Sequence, residues 1–139
     1  MKLYGTITKK TLYIIITLLL AVLFIICRVR SSDMRIIDGS THQKRIDYLN
    51  SQKLMVDENR FSSKEIIIPT EFDSLYKSYN SVQKKSGFDL SPYKGKNATL
   101  YSFSLGEEQC VELLLYNGNI IGGDVYNFKE KMFYPLKQD

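Results

Sequence analysis

The sequence contains one histidine, two cysteines and no tryptophan among its 139 residues. A lone His42 excludes metal sites that need several histidines, and Cys27 and Cys110 are too few for a disulfide scaffold. The sequence also lacks a P-loop, a GxGxxG fingerprint and a serine nucleophile elbow. We therefore expect no cofactor, no metal and no enzymatic activity. His42 could act only in a pair with Cys110, and we expect it to be a surface residue instead.

Charge is absent from residues 11–27, which read TLYIIITLLLAVLFIIC. As a helix this run is about 25 Å long, the short limit for crossing a bilayer, so it predicts a transmembrane signal anchor in the lipid bilayer. Lys2, Lys9 and Lys10 precede the run, and positive charge before a first apolar segment favours a cytoplasmic N-terminus. We thus expect a single-pass protein of a bacterial cell membrane, with a cytoplasmic head at 1–10, a linker at 28–39 and an extracytoplasmic domain at 40–139.

Two alternatives to an uncleaved anchor stay open. A signal peptide cleaved after Ser31 would have an apolar core of suitable length, although Arg28 and Arg30 crowd the cleavage site. A lipoprotein modified at Cys27 is the other alternative, but Ile26 is larger than the residue that usually precedes a lipidated cysteine. Whether residues 1–31 are removed is therefore not decided by the sequence.

Acidic residues are nearly missing from the N-terminal quarter of the chain. The formal net charge of +4 for the whole chain therefore does not describe the charge of the predicted domain. Residues 1–35 hold six Lys and Arg and a single acid, Asp33, which leaves thirteen bases and fourteen acids for 36–139, a net charge of −1. A nucleic-acid-binding domain needs a basic face on its folded part. We expect no nucleic acid among the partners.

Local patterns predict two helices and several short strands. Ser40 to Gln43 reads as a capping box that starts the first helix. The second helix follows Thr70, with Asp73 completing a looser capping box, and ends at Gly87, which is placed for a left-handed cap. Strands are predicted at 54–56, 64–68, 97–105, 110–116, 119–128 and 132–136. This order predicts an α+β fold: after the transmembrane helix, a two-layer domain with an antiparallel sheet of about four to six strands and both helices on one face.

Two glycines interrupt the strand that follows the type I′ hairpin signal Asn117-Gly118. An unbroken ladder from this turn would place Asp124 on the apolar face, beside Leu113. A one-residue bulge at Gly122-Gly123 would instead turn Asp124 outward to solvent and Val125 inward. The functional interpretation of the same pattern is an Asp124 carboxylate that binds a ligand or a metal ion.

Three polar side chains, Tyr79, Asn80 and Gln83, lie on or beside the apolar stripe of the second helix. A polar pair at the border of such a stripe can clamp backbone groups of the next loop, or it can line a groove. Asp89 follows the helix cap and is expected to cap a turn. The candidate binding or structural residues are thus Tyr79, Asn80, Gln83, Asp89, Gly122, Gly123 and Asp124, and no residue is assigned a catalytic role.

The segments YNSVQKKSGFDL (79–90) and YNGNIIGGDV (116–125) are the most distinctive in the chain. With their surroundings, over about 42–136, they resemble a bacterial family catalogued as a domain of unknown function, number 4830. Members of that family share the layout of a membrane segment followed by one domain. They carry a glycine and an aromatic residue where this chain has Lys53-Leu54, so the resemblance is weaker there. The resemblance implies no activity and therefore no catalytic residue.

The anchor, the small domain and the scarcity of catalytic groups together predict a non-enzymatic binding or regulatory module at the bacterial cell surface. Its partner would be a protein or another component of the envelope. The alternative is a small envelope enzyme or ligand-binding domain that uses Asp124 or Cys110.

Overall fold

The computed structural model describes residues 9–30 and 36–136. The chain divides into two compact units, Met1–Arg35 and Ile36–Asp139. In the first unit helix α1 spans Lys9–Arg30 and so includes the whole predicted anchor, with exposed apolar side chains from Leu12 to Leu23. Within the described ranges, no helix has both the length and the apolarity needed to cross a membrane. The predicted cleavage site after Ser31, and parts of the predicted head and linker, lie outside the described residues.

The described part of the second unit, residues 36–136, contains six strands and two α-helices. In chain order they are β1 (Ile37–Asp38), α2 (His42–Ser51), β2 (Phe61–Ile67), α3 (Ser74–Lys85), a 3₁₀ turn (Ser91–Tyr93), β3 (Asn97–Ser104), β4 (Gln109–Tyr116), β5 (Asn119–Asn127) and β6 (Met132–Pro135). The predicted α+β class is confirmed, and every strand pairing is antiparallel. The two-residue strand β1 is an addition, since it falls within the predicted linker.

The sheet has the order β1-β5-β4-β3-β2, and β6 pairs with β5 farther along that strand than β1 does. The central strands β3, β4 and β5 follow one another through the chain as hairpins. Asn117 and Gly118 join β4 to β5 with φ of 49° and 77°, the positive values of the predicted type I′ turn. β2 forms one outer edge of the sheet, beyond β3.

Helix α2 covers one face of the sheet, which we call the α2 face. Its Ile46 and Leu49 are buried against Leu113 and Leu115 of β4 in one apolar cluster. These two positions of β4 point to the same side because side chains alternate along a strand. The larger of the two cores lies here.

Helix α3 covers the opposite face, the α3 face, where Tyr76 and Tyr79 pack against a cluster that contains Leu114. Leu114 lies between Leu113 and Leu115, so it must point away from α2. The prediction that both helices share one face is therefore wrong. The continuous apolar run in β4 is the physical reason, because a strand buried on both faces does not alternate between apolar and polar residues.

The two helices in the folded unit begin slightly later than predicted. The N-cap of α2 is Thr41 rather than Ser40, and its hydroxyl accepts a hydrogen bond from the Lys44 amide at 3.3 Å. The N-cap of α3 is Asp73 rather than Thr70, and its carboxylate accepts from the amide three residues on at 2.7 Å. The capping patterns thus located the start of each helix to within a few residues but assigned the wrong N-cap residue.

The end of α3 follows the prediction. Gly87 has a φ of +88°, the left-handed conformation that glycine adopts readily. The Phe88 amide donates to the Gln83 carbonyl at 3.0 Å, which closes a Schellman motif, and the Phe88 side chain is buried.

The predicted strand at 54–56 does not form. α2 is followed by Lys53 at a φ of +62°, which turns the chain away from the helix. Leu54 and Val56 then pack against the α2-face cluster, while Met55 between them is 86% exposed. The side chains alternate as in a strand, but the segment belongs to none of the ladders of the sheet, because β2 starts only at Phe61.

Candidate functional site

Strand β5 contains a one-residue bulge, as the hairpin register predicts. Ile120 and Gly122 lie opposite Leu115 and Leu114, so Ile121 is the extra residue. The bulge therefore begins one position before the predicted Gly122-Gly123. Its effect on the rest of β5 is the predicted one, because every later side chain changes face.

Asp124 is moved off the α2 face by the bulge, and Val125 is buried there, as expected. The expectation that Asp124 reaches solvent is wrong: α3 covers its face, and the residue is 0% exposed. Its Oδ2 accepts hydrogen bonds from the Tyr79 hydroxyl at 2.9 Å and from Gln83 Nε2 at 2.7 Å. Its Oδ1 is also buried and receives no hydrogen bond from the described residues.

Gln83 connects α3 to the bulged strand. Besides donating to Asp124, it accepts a hydrogen bond from the Gly123 amide through Oε1 at 2.7 Å. A Cβ atom on Gly122 would lie 3.0 Å from this same Oε1, and one on Gly123 would lie 2.6 Å from a methyl of Leu136. The two glycines are thus required for close packing, and neither adopts the positive φ that a glycine bulge would need.

Glu112 lies directly opposite Asp124 on the neighbouring strand, and both point to the α3 face. The Glu112 carboxylate accepts a hydrogen bond from the Ser102 hydroxyl at 3.2 Å. The ion pairs of the described residues, Lys44–Asp38 and Lys84–Asp89, involve neither carboxylate. Glu112 and Asp124, which we call the acid pair, are thus two neighbouring carboxyl groups without an ion-pair partner among the described residues.

The environment of the acid pair favours the neutral form. Burial, reinforced by the charge of Glu112, raises the pKa of Asp124 to about 7, against the opposing effect of the hydrogen bonds from Tyr79 and Gln83. Burial also raises the pKa of Glu112, while Ser102 and the charge of Lys64 partly offset it. Burial and the nearby Asp124 raise the pKa of Tyr79 well above its usual value, so the phenol keeps its proton and donates.

A cleft of about 560 Å³ opens between α3 and the sheet beside the acid pair. Its volume lies within the range of ligand pockets. Most of its lining is apolar: Leu75, Tyr76, Tyr79 and Val82 from α3, Ile66, Leu100 and Leu114 from the sheet, and Met132 and Phe133 from β6, with Lys64, Ser78, Glu112 and Lys131 as polar members. Glu112 is the carboxylate that lines the cleft, whereas Asp124 lies out of reach of solvent.

Asn80 and Asp89 form a separate cluster at the end of α3. Asn80 accepts a hydrogen bond from the Leu90 amide at 2.9 Å and donates to Asp89 at 3.0 Å. Asp89 also accepts from the Ser91 amide at 2.9 Å and so caps the 3₁₀ turn. Burial alone would raise its pKa, but these hydrogen bonds, with Lys84, hold it at about 2. Asn80 thus holds the backbone of the loop after α3, and Asp89 bonds at the start of the next turn, whereas the side chain of Gln83 bonds to β5 instead of that loop.

Cys110 and His42 do not form a catalytic pair. His42 packs against Phe61 and Phe103, at ring-centroid distances of 4.7 and 5.9 Å, on the α2 face. Cys110 alternates with Val111 in β4 and so points to the α3 face. Burial, with the neighbouring acids, raises the pKa of the Cys110 thiol to about 11, so it is not a ready nucleophile. No group of three metal-ligating side chains occurs in the described part of the chain.

The structure thus unites five of the seven predicted residues in one network, Tyr79, Gln83, Gly122, Gly123 and Asp124, and separates Asn80 and Asp89 from it. The sequence analysis missed Glu112 and the cleft. One signal was available: Glu112 is the single charge inside the apolar strand CVELLLY, and a charge within a strand buried on both faces needs a specific partner or function.

Comparison with known families gives one result. The family described as a domain of unknown function, DUF4830, matches residues 52–125. This range includes α3, β2 to β4, the bulge, both members of the acid pair, and most of the cleft. Neither the curated proteins nor the solved structures give a match to the chain.

Proposed function

The chain belongs to the DUF4830 family, and because the description of that family names no activity, we propose a function from the geometry. The folded unit is a non-enzymatic binding module, held at the outer side of a bacterial cell membrane, that receives a segment of a partner protein in the cleft beside α3. The observation that carries this proposal is the cleft itself, which combines an apolar lining with one inward carboxylate.

The cleft has the properties of a recognition surface rather than of an unfilled core. Leu75 is 78% exposed and Phe133 is 38% exposed, although both are apolar and both line it. Contiguous apolar surface of this kind on a small domain marks sites that other molecules cover. A groove between a helix and a sheet suits an extended or helical segment that inserts apolar side chains.

The proposed location rests on the sequence. The uncharged run 11–27 is the proposed single-pass anchor, and the lysines before it, Lys2, Lys9 and Lys10, favour a cytoplasmic N-terminus. The folded unit would then lie outside the cytoplasm, where its partner would be another envelope protein.

The enzymatic alternative has less support. A carboxyl group with a pKa of about 7 suits acid–base catalysis. However, Asp124 is fully buried under Tyr79 and Gln83, and Glu112 is the one carboxylate among the described residues that lines the cleft. A catalytic acid or base must be within hydrogen-bond reach of its substrate.

Two exposed serines of α3 provide a matched test. Ser78 lines the cleft and Ser81 does not, yet each hydroxyl donates only to the carbonyl four residues earlier. In cells that make the full chain, a photo-crosslinking amino acid at Leu75 should capture a partner, and one at Met55 should not. Ser78→Trp fills the cleft and should abolish the Leu75 product, whereas Ser81→Trp should leave it intact. Equal products in the two tryptophan variants would contradict the proposal.

A further inference from the structure

When ionised, the acid pair places two carboxylates at and behind the cleft wall that form no ion pair among the described residues. Glu112 accepts one hydrogen bond, and the buried Oδ1 of Asp124 accepts none from the described residues. A carboxylate removed from water is costly unless a cation or several hydrogen-bond donors replace the water. Two such groups on directly opposed strand positions raise that cost, because like charges repel across a strand pair.

The described cations beside the cleft form no ion pair with the acid pair. Lys64 and Lys131 line the cleft, but both side chains are exposed to solvent. Neither forms an ion pair with Glu112 or Asp124. Lys64 acts on Glu112 only through its more distant charge. The residues that the structure describes thus leave the acid pair, when it is ionised, without a cation in direct contact.

From this arrangement we infer that the cleft selects a segment of a partner protein that presents a lysine or arginine among apolar side chains. The basic group pairs with Glu112, and Asp124 lies immediately behind Glu112. This inference rests on the proposed function and adds the chemistry of the partner. The apolar walls would bury the aliphatic part of the basic side chain, because lysine and arginine can bury their methylene groups while the charged group stays paired. A charged hydrogen bond to a partly buried carboxylate is stronger than one on the surface.

A protein segment fits this site better than a metal ion or a small amine. The acid pair supplies two carboxylates, and the described residues offer no third metal-ligating side chain beside them. The apolar lining extends from Ile66 to Phe133, so several side chains can contact it at once. A segment that inserts one basic and several apolar side chains uses both properties of the cleft.

Binding should weaken at acidic pH. Asp124 faces Tyr79 of α3 and Glu112 of β4. The charge of Lys64 on β2 acts on Glu112, and Cys110 lies two residues from Glu112 on the same strand. Tyr79 and Cys110 stay neutral over the relevant range, since the pKa of each is raised. The carboxyl groups alone therefore titrate. Protonation removes the negative charge that holds the basic group.

The test uses the full chain in nanodiscs of uncharged lipid, with empty nanodiscs as counter-selection and a phage library of random peptides as the probe. Peptides whose binding is lost in Leu75→Glu are retained as cleft binders. We expect these to be enriched in lysine or arginine flanked by apolar residues. Replacing the basic residue of the peptide by norleucine should weaken binding about tenfold or more, and so should Glu112→Gln. The two changes together should weaken binding little more than either change alone.

Glu65→Gln is the matched control, because Glu65 lies on β2 between Lys64 and Ile66, is exposed and bonds to Thr99 on the other face. It should leave the affinity unchanged. The inference would be overturned if the cleft binders lacked a basic residue, or if they carried an acidic residue that pairs with Lys64 and Lys131. The proposed function would not be contradicted by either result. Failure to find any peptide that Leu75→Glu excludes would count against the proposed function itself.

Discussion

At the scale of single residues, Asp124 shows how one carboxyl group depends on both neighbouring layers. The bulge in β5 decides which face it occupies, and α3 decides that this face is buried. Tyr79 and Gln83 donate to only one of its oxygens. The other oxygen lies in the interior without a donor among the described residues, so the ionised form is the costly one.

Replacing Asp124 by Asn should stabilise the folded unit at alkaline pH. The folded pKa of about 7 exceeds the ordinary value of 3.8, so the folded state holds a proton that the unfolded state releases. The stabilisation from this proton is complete below about pH 4 and is lost as the pH rises through about 7. Asp124→Asn should thus match the native chain at about pH 4 and exceed it by roughly 2–4 kcal/mol at about pH 8. Urea unfolding at both pH values measures this, and an Asn variant less stable at pH 8 would contradict it.

Gly123 should tolerate no side chain, for a reason of packing. A Cβ there would contact Leu136, Leu113 and the carbonyl of Glu112 at 3.2 Å or less. Gly123→Val should therefore destabilise the fold by about 1–3 kcal/mol, the cost of overpacking. Ser63→Val, on the exposed edge strand, should change the stability by less than about 0.5 kcal/mol. Thermal unfolding of both variants is the measurement, and two equal melting temperatures would refute the packing argument.

The bulge was predictable from the sequence, but the burial of Asp124 was not. Asn117-Gly118 permits one tight turn, and that turn fixes the residues that face each other across the hairpin. Whether the second face of the hairpin is covered depends on α3, some forty residues earlier in the chain. A local pattern in β5 contains no information about that contact.

At the scale of elements, the caps show how competing signals are resolved. Thr70 and Asp73 both precede α3, and both residue types cap helices. The structure uses Asp73, because its carboxylate accepts the amide of Tyr76 at 2.7 Å. The sequence predicted the helix and its apolar stripe, but it did not decide which of the two nearby residues is the N-cap.

A pair of substitutions at these caps tests the assignment. Asp73→Ala removes the hydrogen bond to the first turn and should cost about 1 kcal/mol. Thr70→Ala leaves that bond intact and should cost much less. Chemical unfolding of the two variants distinguishes them, and a larger loss for Thr70→Ala would show that the helix starts earlier.

The layer arrangement was the main error at this scale. An antiparallel sheet with one solvated face was expected, which would place both helices together. The run Leu113-Leu114-Leu115 argued against that expectation, since three successive apolar residues in a strand face both sides. The cleft exists because of this arrangement: it lies on the α3 face, beside the helix that covers it.

At the scale of the whole molecule, the balance of charge differs between residues 1–35 and the folded unit. Residues 1–35 hold six Lys and Arg against one acid, and 36–139 has a net charge of −1. The partner proposed for the cleft is basic, which fits a unit that is slightly acidic rather than one built for nucleic acids. The family match covers residues 52–125 of this unit and names no partner.

The most direct test is the rate at which single cysteines react with a membrane-impermeant maleimide on intact cells. Leu75→Cys in the cleft and Met55→Cys outside it are placed, one at a time, in a chain whose Cys27 and Cys110 are replaced by alanine, at native expression levels. We predict that Met55→Cys is labelled rapidly, and that Leu75→Cys reacts several-fold more slowly in cells but at a similar rate in the purified chain. Equal rates in cells would mean that nothing occupies the cleft, and no labelling of Met55→Cys would place the folded unit on the cytoplasmic side.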